Sequence, residues 1–163
     1  MLPYLLIAAG GLGVAATTAL EVVTSPYSAY VSAYPINGPV HLLKVAAVLI
    51  FAAGMAVFLA RFRRRLGVVG SVAAGALGIG PLLGAIPYSL AEASLDPTLT
   101  PSRANAELEA IYAAQPWIGE VAGLMLPVIV FPVVAFGIVV LRRRLVPMWA
   151  RRSRRVGRGR CGA

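Results

Sequence analysis

The sequence RFRRR at residues 61–65 lies between two long apolar runs and decides how the chain is organised. An arginine at the centre of a bilayer costs about 2.5–3.5 kcal/mol, so a cluster of them cannot remain there. The stretch therefore predicts a tight turn at a membrane surface. Cytoplasmic loops are enriched in Lys and Arg, which indicates that this surface is the inner one.

The composition is that of an integral membrane protein. Of the 163 residues, 59% are hydrophobic and only 13% are charged, yet the formal net charge is +9. Such apolarity excludes a water-soluble domain, and long runs almost free of charge indicate membrane spans. Nearly all the basic residues are Arg, and Ala and Gly are abundant, which is typical of a GC-rich bacterial genome.

Four apolar runs predict an all-α integral membrane protein folded as a four-helix transmembrane bundle. The spans are expected at about residues 2–23, 40–60, 66–90 and 117–141. The first run could instead be a secretory signal peptide, but such peptides start with a basic segment and no Lys or Arg precedes Lys44. We therefore expect one domain over residues 1–146, with an uncleaved first helix, and a disordered basic cytoplasmic tail over 147–163.

Two short segments between the spans predict helices on the outer membrane surface. At residues 25–26 and again at 100–101, a capping residue precedes a proline in the first helical position. The first segment continues with tyrosines at helical spacing, which is typical of the headgroup region. The second continues with an apolar stripe formed by Ala104, Leu108, Ile111 and Tyr112.

The distribution of charge predicts the orientation. Thirteen arginines lie in the central turn or after the fourth span, whereas all six acids lie at or beyond the opposite ends of the spans. We expect a multi-pass protein of the plasma (inner) membrane with both termini in the cytoplasm. The arginines predicted to contact anionic inner-leaflet lipids are Arg63, Arg64, Arg65, Arg142, Arg143, Arg144, Arg151 and Arg152. Nothing resembles a nucleic-acid-binding module, so no nucleic-acid partner is expected.

The third span is rich in glycine and is predicted to form the centre of the bundle. Small residues four positions apart, among them Gly75, Gly80 and Gly84, allow helix backbones to approach closely in lipid. Pro81 and Pro87 are expected to kink or break the outer half of this span.

Ionisable residues at the outer ends of three spans form the candidate site. Glu21, Lys44 and Glu120 are predicted at similar depth, and His41 lies one turn before Lys44 on the same helix face. They could form an outward-open site for a proton, a cation or an anionic headgroup, or an interhelical salt bridge. The salt bridge is favoured because every member lies near the membrane edge. The spacing fits neither a metal site nor a haem, and no cofactor is expected.

Two classes of function remain open, with an enzyme as a third. The few polar residues within the spans and the close-packing glycines favour a non-catalytic accessory or assembly subunit that binds a protein partner or forms a homo-oligomer. The alternative is a small solute or ion carrier, or a lipid-binding protein, that uses Glu21, Lys44 and Glu120. A membrane-embedded enzyme would need a buried catalytic pair, and no catalytic constellation is visible in the sequence.

Overall fold

Four helices make up the part of the chain that the structure describes. The computed structural model describes residues 1–24, 37–96, 98–143 and 145. The helices are α1 (Leu2–Thr24), α2 (Asn37–Ala93), α3 (Pro101–Ala114) and α4 (Pro116–Arg142), and these ranges contain no strand. Three predictions fall outside the described residues: the surface helix after residue 25, the tail at 147–163, and the lipid contacts of Arg144, Arg151 and Arg152.

Helix α2 is a hairpin of two antiparallel arms, a first arm over residues 37–66 and a second arm over 68–93. Between them Gly67 has φ 68° and ψ −174°, a region of backbone conformation that essentially only glycine adopts. The arms then run side by side: a Cβ built on Gly78 would lie 3.3 Å from the Cβ of Met55. At their far ends, a Cβ built on Gly38 would lie 3.8 Å from the carbonyl oxygen of Ala93.

The position of this reversal corrects two predictions. The arginines at residues 61–65 are helical and complete the first arm, so the turn itself is the single residue Gly67. Arginine is a good helix former, whereas glycine, which has no Cβ, adopts non-helical backbone conformations at the lowest energetic cost. Of the kink or break predicted at Pro81 and Pro87, the break is absent, since Gly67 is the one residue within α2 that has non-helical dihedral angles; the kink stays a prediction.

Helix α1 packs closely along the first arm through glycines. A Cβ on Gly10 would stand 2.5 Å from the backbone nitrogen of Phe51, and one on Gly13 would stand 2.8 Å from the Cβ of Ala47. On the facing helix, a Cβ on Gly54 would come within 2.8 Å of the backbone nitrogen of Ile7. These distances leave no space for a side chain, so the two backbones are in direct contact.

Aromatic rings hold together the end of the molecule at which α2 reverses. Phe58 lies 4.8 Å from Phe62, 5.6 Å from Tyr4 and 5.5 Å from Phe136 between ring centroids. The Tyr4 hydroxyl donates a hydrogen bond of 2.8 Å to the carbonyl oxygen of Leu145. The start of α1, the α2 reversal and the end of α4 therefore share one end of the molecule. We call it the basic end, because the exposed arginines there are Arg61, Arg63, Arg64, Arg65, Arg142 and Arg143.

Helices α1 and α2 are long and apolar enough to cross a membrane. Only 17% and 28% of the most apolar windows of the two helices are buried, whereas a core helix of a soluble protein is mostly buried. At 1.5 Å per residue each arm of α2 is about 40 Å long, which exceeds the roughly 30 Å of bilayer hydrocarbon.

Helix α3 covers the end of the molecule opposite the basic end. Proline occupies its first turn, as the sequence predicts, although the Thr100 side chain makes no capping hydrogen bond. The predicted apolar stripe faces inward: Ala104 and Leu108 are buried against Ala91, with Ile111 and Tyr112 packed beside them. The helix thus lies against the end of the second arm of α2, where the candidate site is formed.

Candidate functional site

Four ionisable side chains form one cluster at the end of the molecule covered by α3. Lys44 Nζ donates to Glu21 Oε2 at 2.7 Å, and Glu21 Oε1 lies 3.2 Å from His41 Nδ1. On the other side of the imidazole, His41 Nε2 lies 2.6 Å from Glu92 Oε2. We call Glu21, His41, Lys44 and Glu92 the charge cluster.

Three helical segments supply the charge cluster. Glu21 lies in the last turn of α1, and Glu92 lies in the last turn of the second arm of α2. His41 and Lys44 are three residues apart, which places them on one face of the first arm. Because this arm lies between the other two segments, its imidazole reaches both carboxylates, and the cluster joins the three segments.

The cluster is buried and balances its own charge. His41 is only 3% exposed, and the side chains of Glu92, Lys44 and Glu21 are 8%, 14% and 20% exposed. His41 Nε2 lies within hydrogen-bonding distance of Glu92, whereas the contact of Nδ1 with Glu21 Oε1 is an ion-pair distance without hydrogen-bond geometry. Two carboxylates so close to the imidazole favour its charged form. Two carboxylates then oppose an imidazolium and an ammonium, and the net charge is zero. Such balance matters because an uncompensated buried charge is strongly destabilising.

The carboxylates occupy positions that their own helices disfavour. Glu21 and Glu92 both lie at helix C-termini, where the helix dipole carries partial negative charge and disfavours a carboxylate. The cations on the neighbouring arm therefore have to offset the burial of the carboxylates and the dipole. It follows that the cluster depends on the three segments being assembled.

Tyr112 of α3 adjoins the cluster on the side of Glu92. Its ring stacks on that of Tyr88, with centroids 6.0 Å apart and an interplanar angle of 18°. Burial, together with the negative charge of Glu92, raises the pKa of Tyr112 to about 12. The phenol is therefore neutral at physiological pH, and it places an aromatic ring rather than another charge beside the cluster.

The structure brings together three of the four predicted site residues and adds one. Glu21, His41 and Lys44 meet as expected, whereas Glu120 is exposed on α4 and forms no ion pair with the other residues that the structure describes. Its place is taken by Glu92, which lies just beyond the span predicted at residues 66–90. The distances from the reversal identify Glu92 in the sequence. His41 is 26 residues before Gly67 and Glu92 is 25 residues after it, so the two lie opposite each other on the antiparallel arms.

Close helix contacts also differ in part from the prediction. Gly80 and Gly84 are buried, but a Cβ on Gly75 would meet no atom within 4 Å among the described residues. In the second arm the closest approach is at Gly70, where a Cβ would lie 2.7 Å from Val139 of α4. Closer approaches than that of Gly78 to Met55 also lie between α1 and the first arm of α2, where Gly10 faces Phe51, Gly13 faces Ala47 and Gly54 faces Ile7.

The geometry suits a clamp between helices, with proton movement as its possible chemistry. Within the described ranges, no group of three or more His, Cys, Asp or Glu side chains is arranged to hold a metal ion, and the ammonium of Lys44 would repel a cation. Ion-pair contacts run from Glu92 through His41 and Glu21 to Lys44, although the step from His41 to Glu21 lacks hydrogen-bond geometry, and ionisable residues within membrane proteins mark proton pathways.

Comparison of the chain with protein-family models, with curated proteins and with solved structures finds no match.

Proposed function

We propose that this protein is a non-catalytic accessory subunit that spans the plasma membrane four times and docks onto a larger membrane partner. The observation that carries the proposal is the outward face of the second arm of α2. Val72, Ile79 and Leu83 are 56–67% exposed on this face, around Gly75, where a Cβ would meet no described atom within 4 Å. An exposed apolar face with a glycine near its middle allows another helix to approach closely in lipid at that glycine.

The proposed topology rests on the lengths of the helices and on the charges. Each arm of α2 is long enough for one crossing, and α1 and α4 lie alongside the arms with 23 and 27 residues. With the basic end in the cytoplasm, the exposed arginines follow the enrichment of Lys and Arg in cytoplasmic loops. The charge cluster and α3 then lie at the outer face.

The charge cluster supports a structural role. Its two positive and two negative groups pair with one another at 2.6–3.2 Å, which leaves the cluster without excess charge for a charged substrate. A clamp that joins α1 to both arms of α2 would keep the outward face rigid, and a preformed surface loses less conformational entropy on binding.

A pull-down with matched variants tests the docking face. The chain, tagged at its C-terminus, is purified from native membranes in a mild detergent, and co-purifying proteins are identified by mass spectrometry. Gly75→Leu should abolish a stoichiometric partner, because the side chain fills the proposed contact while the fold has space for it. Gly11→Leu is the control, since Gly11 also has no described neighbour within 4 Å but lies on α1. Recovery of the chain alone, or an equal loss in both variants, would refute the proposal.

A small proton-coupled carrier is the second candidate, and the buried ionisable path through three segments favours it. The purified protein is reconstituted in vesicles that contain a pH-sensitive dye. If the protein is a carrier, Glu92→Gln should reduce proton flux at least tenfold, whereas Glu120→Gln, at an exposed position outside the cluster, should leave the flux unchanged. Vesicles that show no flux above the empty control would remove this candidate.

A further inference from the structure

A groove lies at the basic end, between the start of the second arm of α2 and the end of α4. Its volume is about 470 Å³. Apolar side chains form most of its wall, and Arg142 and Arg143 line it as well. The apolar wall consists of Leu66, Val68, Val69, Ala135, Ile138 and Val139.

The helix reversal shapes this groove. Gly67 lines it without a side chain, and the guanidinium of Arg143 lies 4.0 Å from the position where a Cβ would stand. Val68 and Val69 are 81% and 65% exposed, so the apolar wall opens outward rather than into the protein core. A long apolar group can therefore enter from the side, next to two cationic groups.

The charge around the groove selects for an anion. No described Asp or Glu lines it, and the carboxylates of the charge cluster lie at the opposite end of the helices. Arg142 and Arg143 therefore have no lining carboxylate to neutralise them, and guanidinium groups bind phosphate oxygens through paired hydrogen bonds. An apolar wall beside two guanidiniums that meet no described carboxylate in the groove matches a molecule with a hydrocarbon chain and an anionic phosphodiester.

We propose that this groove binds one anionic phospholipid, with an acyl chain along Val68 and Ile138 and the phosphodiester between Arg142 and Arg143. The inference rests on the membrane embedding of the proposed function, and it adds a defined lipid site to the general attraction of arginines for the inner leaflet. Basic pockets between membrane helices on the cytoplasmic side are known to hold anionic headgroups.

Photo-crosslinking in vesicles tests the site. The full chain is reconstituted in phosphatidylcholine with a small fraction of phosphatidylglycerol that carries a diazirine in one acyl chain. Labelled residues are mapped by mass spectrometry, and an equal series carries the diazirine on phosphatidylcholine. Labelling at Val68, Val69 and Ile138 should be at least roughly tenfold higher from the anionic lipid. Excess unlabelled phosphatidylglycerol should compete, whereas inorganic phosphate should not.

Matched variants separate the groove from charge alone. The double variant Arg142→Gln with Arg143→Gln should remove the preference, while Arg63→Gln with Arg64→Gln removes two charges from the same end and should keep it. Val69→Trp should block labelling by filling the groove, and Leu12→Trp, at a position on α1 that is 71% exposed and outside the lining, should not. Each variant is compared with the parent by gel filtration and thermal unfolding, so that a folding defect is recognised.

Three results would overturn the inference: equal labelling by the two lipids, equal effects of the two arginine pairs, or competition by inorganic phosphate. Extraction of the same vesicles with alkaline carbonate distinguishes failure of the lipid-site proposal alone from failure of the proposed membrane embedding. A chain that stays in the membrane but shows no preference lacks only the lipid site. A chain that is extracted is not membrane-embedded, and both proposals then fail.

Discussion

The two ends of this molecule are held together by different forces. At the basic end, aromatic rings pack between α1, α2 and α4, and the charged groups remain exposed. At the opposite end, two carboxylates, an imidazole and an ammonium lie buried between three helical segments. Truncation of a packed apolar side chain lowers stability roughly in proportion to the atoms removed. Removal of one member of a balanced set of buried charges costs more, because it leaves another charge buried without compensation. The ends should therefore respond very differently to substitution.

The largest effect is expected at the charge cluster. His41→Leu leaves Glu92 buried without its partner and should lower the free energy of unfolding by about 3–5 kcal/mol. Unfolding by SDS titration in mild detergent measures this change. Glu120→Gln, at an exposed position, should change stability by less than about 0.5 kcal/mol. Equal midpoints for the two variants would contradict the buried cluster.

A double variant sharpens this prediction. His41→Leu combined with Glu92→Leu removes the imidazole and the carboxylate that depends on it, and it leaves the pair of Glu21 and Lys44 intact. Apolar replacement of a complete buried pair is often neutral, so the double variant should be more stable than His41→Leu alone. If it is less stable, the loss in the single variant comes from packing and not from charge.

A smaller effect is expected where α2 reverses. Gly67→Ala places a side chain on a backbone conformation that only glycine adopts, and it should cost about 1–3 kcal/mol. The matched change Gly75→Ala lies in the same arm, meets no described atom within 4 Å, and should stabilise the helix by up to about 1 kcal/mol. The same SDS titration gives both values. If both variants changed the free energy of unfolding in the same direction, the chain would not reverse at Gly67.

Removal of one hydrogen bond at the basic end should have a modest effect. Tyr4→Phe keeps the ring contacts with Phe58 and Phe62 but removes the bond to the carbonyl oxygen of Leu145. The expected loss is about 1 kcal/mol, the usual net value of a neutral hydrogen bond. An unfolding midpoint equal to that of the parent would mean that this bond does not stabilise the fold.

The smallest effect concerns Tyr112 at the opposite end. Its pKa is about 12 in the folded chain, above the ordinary value near 10, because burial and the charge of Glu92 disfavour the phenolate. Between pH 10 and 12 the unfolded chain loses this proton first, so stability should fall as pH rises through that window. Tyr112→Phe should lack this component and, in an ultraviolet titration, the absorbance step near pH 12. A step near pH 10 instead would place Tyr112 in water.

Much of the helical architecture follows from the sequence, because apolar runs and charge clusters are local signals. The location of the reversal could be predicted only to within a few residues, since arginines continue a helix as readily as they follow one. Partner choice in the charge cluster was harder still. Glu120 and Glu92 are both acids at the ends of apolar runs, and only the register set by Gly67 brings Glu92 opposite His41. Gly75 and Gly10 likewise differ in what faces them, which local sequence does not encode.

The one-residue reversal at Gly67 has a consequence for experiments on membrane orientation. A protease needs several residues of extended chain in its cleft, and segments rich in hydrogen-bonded helix resist cleavage until they unfold. Residues 61–70 are helical apart from the single break, so trypsin finds four arginines there but no loop. Resistance to trypsin at this site therefore does not place it on the far side of a membrane. A reporter tag inserted there would have to unwind a helix to be accommodated.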